Sequence, residues 1–150
     1  MAKAQEVRML AELSAIAGVR EAIARAEWNE AESHRQTCED QERDAGQQAL
    51  DAFEDWSACV GSSLLGPGSI RSAAGRVIAE ELALSGARKQ HEAAAREAGE
   101  KGSTARLAKA GAEADTKRLA RARRRHEVVL DEARMSELDD LMLARRLGKR

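Results

Sequence analysis

The side chains able to do chemistry are few, and they stand at helical spacings. His34 and Cys38 lie four residues apart, on one face of a helix. Folded against a second helix they would meet His91 and Glu92, and His, Cys and Glu are the side chains that bind zinc. The same residue types also serve as plain packing at a helix seam, and no metal is assigned to them. The segment Gly99-Glu-Lys-Gly-Ser-Thr has the glycines, lysine and hydroxyls of a phosphate loop. Its spacing is wrong and no strand precedes it, so it is not read as a nucleotide site. No Ser/His/Asp set or carboxylate pair has a pocket to occupy, and a pair of helices has no interior for one. Catalytic residues and cofactors are therefore not expected, and the chain does not read as an enzyme. The strongest charge feature is the run from Lys117 to His126, which contains Arg118, Arg121, Arg123, Arg124 and Arg125. It suits either a polyanion contact or a solvated basic collar beside an acidic protein surface.

These residues depend on two long helical segments. From Ile70 to Leu147 there is no proline, and steps of seven give Ile70, Val77, Leu84, His91, Ala98 and Ala105, then Ala112, Leu119 and His126. The column three residues on reads Ala73, Glu80, Ala87, Ala94, Lys101, Ala108, Asp115, Ala122, Val129, Ser136 and Leu143, seven of the eleven apolar. Two such columns make the narrow seam of a coiled coil. A helix of that span is roughly 115 Å long and cannot bury its stripe on itself. Residues 4 to 60 supply the partner, with Leu10, Ala17, Ala24, Ala31, Cys38, Ala45, Ala52 and Cys59 in one column. Met9, Ile16 and Ile23 are expected to fill the second column at the start, and Trp28, Ala49 and Trp56 the remainder. Residues 61 to 69 form the break: Gly61 is expected as a left-handed cap, Pro67 as a stop, and Ser69 as the cap of the next helix. Leu64 and Leu65 are expected to tuck against the helix ends.

The fold class is thus all-α: a long antiparallel two-helix hairpin, helix 4–60, turn 61–69, helix 70–147, with an overhanging C-terminal end. Pairing about residue 65 sets residue i opposite about 130 − i, so that Trp28 faces Gly102 and Trp56 faces Ala73 and Ala74. The heptad phase does not change across Gly99, Gly102 and Gly111, which favours one continuous second helix. From Val128 onward no partner remains, yet this is the richest apolar stretch, with Leu130, Met135, Leu138, Leu141, Met142 and Leu143. A lone helix would not keep them in water, so a second molecule is implied.

Composition agrees with long helices rather than a thick core. The 150 residues include one Phe, two Trp and no Tyr, and 34% are charged. The net charge of −1 hides an uneven distribution. Residues 27 to 55 hold ten acidic side chains against Arg35 and Arg43, and residues 101 to 125 hold nine basic ones against Glu113 and Asp115. Charges interrupt the N-terminal apolar residues, so no secretory signal is read there, and no run is long enough to span a bilayer. Cys38 and Cys59 lie roughly 30 Å apart along one helix and cannot pair within the chain, as suits a reduced cytoplasmic protein.

The segment from Arg124 and Arg125 through Leu130-Asp131-Glu132, Met135, Glu137-Leu138-Asp139 and Leu141 to Arg145 and Arg146 resembles the end of the FliJ/YscO-type proteins. These are small stalk proteins of flagellar and type III secretion export machinery. The resemblance implies a helical hairpin without catalytic residues, seated in the pore of a hexameric export ATPase. It also implies contact with the export gate and export chaperones, and peripheral association with the inner face of the cell membrane through those partners. Flagellar and virulence systems both stay open. The segment's Leu130, Asp131, Glu132, Met135, Leu138, Leu141, Arg145 and Arg146 become the candidate partner surface. Two alternatives stand beside it: a nucleic-acid-binding protein using the basic run, and a general helical chaperone or adaptor.

Overall fold

A computed structural model of the chain describes residues 2–62 and 66–147. They form two helices, α1 (Ala2–Gly61) and α2 (Pro67–Leu147), paired as an antiparallel hairpin. Among the described residues there is no strand. α2 starts three residues earlier than the expected 70, and the reason is local. Gly66 is the N-cap, its carbonyl accepting from the amides of Ser69 (3.1 Å) and Ile70 (3.4 Å). Pro67 then takes the first helical position, where its missing amide hydrogen would have had no partner anyway. Ser69 is therefore inside the first turn and not the cap. Gly61 is not left-handed either, since no described glycine has positive φ. The end of α1 tightens instead through the Ser62 amide bonding to the Cys59 carbonyl at 3.3 Å. Leu64 and Leu65 lie outside the described residues.

The chain divides into two compact units. In the first, residues 25–104, the seam holds Ala31, Cys38, Ala49, Ala52, Ala94 and Ala98, all buried. Pairing across it follows the expected register. Trp28 lies on Gly102, Glu27 bonds Lys101 at 2.7 Å, Glu42 meets Arg88 and His91, and Asp55 bonds Arg76 at 2.8 Å. The numbers of these partners add to between 128 and 133, around the expected 130. Gly102 has a packing reason to be glycine: an added Cβ would stand 3.1 Å from Trp28 Nε1. Gly99 has no such neighbour. α2 runs unbroken through both.

The second unit comprises residues 1–24 and 105–150, of which the structure describes 2–24 and 105–147. Its buried side chains are Ala24, Ala112, Leu119 and Ala122. Ser14 Oγ lies 3.4 Å from Thr116 Oγ1, and Arg125 pairs with Glu6 at 3.7 Å, again in the same register. One expectation fails here. Met9, Ile16 and Ile23 are exposed, at 54%, 50% and 55%. Val7, Ser14 and Glu21 occupy the half-buried second column in their place. The Leu10–Ala17–Ala24 column needs a companion three or four residues away, whereas Met9, Ile16 and Ile23 sit one residue away, about 100° round the helix.

In both units the buried set is nearly all alanine, with Leu119 its one large aliphatic member. Burial contributes about 0.8 kcal/mol per CH₂, so such a seam brings the backbones close without stabilising the pair strongly.

Candidate partner-binding site

The first heptad columns of α2 stay at least half-buried as far as His126 and Val129. Opposite Ala2, where α1 begins, the register reaches Val128. Beyond Val129 the helix continues to Leu147, and every described side chain from Leu130 to Leu143 is exposed. Leu130 is the least exposed of the large apolar ones at 43%, and Leu141 the most at 66%. The candidate residues Leu130, Met135, Leu138 and Leu141 are thus all exposed. Asp131 bonds Arg134 one turn on, at 3.3 Å. Glu132 and Arg145 are exposed. The side chain of Arg146 lies outside the described residues.

The helix carries these side chains on several faces. Val128, Met135 and Met142 are seven apart on one line. Leu130 and Leu141 mark a second, and Leu143 continues the old seam. A single amphipathic stripe would suit one flat neighbour, whereas apolar groups on several faces suit a site that wraps the helix.

Arg118, Arg121, Arg124 and Arg125 line one open groove with Glu6 and Leu10 of α1, and Arg123 does not line it. Arg125 is partly neutralised by Glu6, and Arg118 bonds Asp115 at 3.3 Å. Among the described residues Arg121, Arg123 and Arg124 have no acidic partner. Of the ten acidic residues from 27 to 55, which the composition set against the basic run, Glu27, Glu32, Glu39, Asp40, Glu42 and Asp55 form ion pairs within their own unit. Glu32 and Glu39 bond Arg35, for example, and Glu42 bonds Arg88 and His91. The hydrogen bond from Arg35 holds the Glu32 carboxyl below its ordinary range, against a small opposing effect of desolvation. Its hydrogen bond to Glu27 likewise raises the Lys101 ammonium.

The zinc-like constellation comes apart. Cys38 Sγ sits 3.8 Å from His34 Nε2, but His91 Nδ1 is engaged by Glu42 Oε2 at 2.7 Å, and Glu92 points to solvent. Among the described residues no three His, Cys, Asp or Glu side chains converge as metal ligands. Both cysteines are free thiols, Cys38 buried in the seam and Cys59 half-buried. No helix among the described residues is long and apolar enough to cross a membrane.

Sequence reasoning missed one feature of this unit. Met9, Leu13, Ile16, Val19 and Ile23 form a second, exposed apolar stripe on α1, spaced at four, three, three and four residues. That spacing is itself a helical signal. Met9, Ile16 and Ile23, the part of it expected in the seam, belong to this outward stripe. Compared with protein-family models, with curated proteins and with solved structures, the chain has no significant match in any of the three.

Proposed function

We propose that the protein is a non-enzymatic helical stalk or adaptor of a flagellar or type III export apparatus, coupling a hexameric export ATPase to the export gate. The observation that carries this reading is the end of α2, an unbroken helix whose described side chains from Leu130 to Leu143 are all exposed, half of them apolar. The stretch resembling FliJ/YscO-type proteins, from Arg124 to Arg146, covers this same end. A helix with apolar groups on several faces fits insertion into a partner's channel better than it fits a flat contact. The site of action is the cytoplasm, with the membrane reached only through partners.

The test is partner capture with Leu138→Asp and Leu141→Asp. Both positions lie beyond the seam, so helicity by circular dichroism should stay nearly constant. Desolvating an aspartate in an apolar contact costs several kcal/mol, so binding to the ATPase and stimulation of its turnover should be lost. Binding that survives both changes would refute the site.

A second reading rests on the arginine groove, where Arg121 and Arg124 have no acidic partner among the described residues. In a nucleic-acid-binding protein these side chains would supply most of the affinity, which would fall steeply and linearly with log salt. In the stalk they mainly speed association, an effect that fades beyond about 0.15 M salt, where the screening length is about 8 Å. Changing Arg121, Arg123, Arg124 and Arg125 to Gln should slow association with the ATPase ring. A sub-micromolar DNA complex at physiological salt, lost in that variant, would replace the stalk by the nucleic-acid reading.

A further inference from the structure

Two surfaces of the unit formed by residues 2–24 and 105–147 are complementary to each other. One is the unpaired end of α2, residues 130 to 143. It carries exposed Met135, Leu138, Leu141 and Met142, together with five acidic side chains against Arg134 alone. The other is the groove lined by Leu10, Arg118, Arg121, Arg124, Arg125 and Glu6, the last paired with Arg125. Exposed Met9 and Leu13 extend its apolar side along α1. Residues 4 to 13 of α1, beside the groove, and residues 134 to 143 of α2 each span roughly 15 Å of helix, so the lengths match.

The end cannot occupy the groove of its own chain, because residues 118 to 143 are one unbroken helix. Another molecule must bring the end to the groove. We infer that a second copy of this chain does so: two chains pair antiparallel about a two-fold axis near Leu130, each laying its acidic, apolar α2 end in the other's arginine-walled groove. Charge decides the direction. In a parallel, in-register pair the arginines of 118 to 125 would face arginines. In the antiparallel pair Arg121 comes level with Asp139, and Arg124 comes within about one turn of Glu132, seven residues from Asp139 on the same face. A two-fold contact is made twice, once at each groove. The inference concerns the protein by itself and does not rest on the export reading. Any partner that takes the α2 end has to displace the second copy.

The test uses the full chain and reads its mass by sedimentation equilibrium, with helicity followed by circular dichroism. Wild type should be a dimer at about 0.1 mM, weakening as salt rises. Arg121→Glu with Arg124→Glu should set acid against acid at both grooves and weaken dimerisation at least about tenfold, with helicity retained. Glu132→Arg with Asp139→Arg should do the same by setting arginine against arginine. Mixing the two doubly changed chains should restore a one-to-one dimer, because every facing pair is then attractive. One chain carrying all four changes should dimerise like wild type. A wild type that is monomeric at about 0.1 mM overturns the inference. So does a dimer that survives both double changes, or double variants that fail to associate when mixed.

Discussion

Gly102 and its two neighbouring glycines look alike in sequence and differ in what surrounds them. Trp28 fills the space beside Gly102, while nothing lies within 4 Å of a Cβ added at Gly99 or Gly111. Alanine at either of the latter should raise stability by about 0.5–1 kcal/mol, the gain in helix propensity over glycine. Alanine at Gly102 should gain nothing, because the indole has to shift by a few tenths of an ångström to admit it. Thermal melts of the three variants separate these outcomes, and an equal gain at all three would show that Trp28 does not pack there. Glu32 offers a pH measurement at the same scale. Its carboxyl is held below the ordinary value of 4.5 by the Arg35 hydrogen bond. A depressed folded-state value means the contribution is present above the unfolded carboxylate range and is lost as pH falls through the folded value. An NMR titration should place the Glu32 midpoint below 4.5, and Arg35→Gln should move it back up.

Between the helices, the alanine seam leaves Leu119 as the one large aliphatic side chain that is buried among the described residues. Leu119→Ala should therefore cost about 2–3 kcal/mol, which is much of what a marginal helix pair has. The loss should appear as a lower denaturation midpoint, and a change under about 0.5 kcal/mol would show that the seam near residue 119 is open in solution. The exposed stripe from Met9 to Ile23 makes the complementary point about α1. It holds larger apolar groups than the seam does, yet it faces outward, so α1 keeps a strong apolar face unused by α2.

Across the molecule, the two units are tied down unequally. The unit of residues 25–104 has ion pairs across the seam from Glu27, Glu42 and Asp55, whereas the other has the 3.7 Å pair of Arg125 with Glu6. Backbone amides open most readily where buried contacts are few. Hydrogen exchange in dilute protein should be slowest around residues 31 to 52 and 84 to 102. It should be faster in residues 4 to 24, and fastest in residues 130 to 143, which pack on nothing within the chain. Uniform protection along α2 in dilute protein would contradict this order.

The heptad columns of α2 were legible in full: each position from Ile70 to Val129 that the spacing marks is half-buried or buried. The hairpin, its register near 130 and the contact of Trp28 with Gly102 followed from the same spacing and the one Gly-Pro-Gly break. Helical periodicity is a local property of the backbone, so sequence alone determined it. Tertiary structure decided which of two competing columns of α1 faces inward. Leu10, Ala17 and Ala24 continue in phase through Cys38 to Cys59, and one continuous seam outweighs the larger but shorter stripe of Met9, Ile16 and Ile23. Structure also decided that His91 turns to Glu42 and not to a metal-like cluster. It further gathered Arg118, Arg121, Arg124 and Arg125, without Arg123, on a single groove. Those outcomes depend on what stands opposite each side chain across the seam, and spacing along one strand of sequence does not contain that.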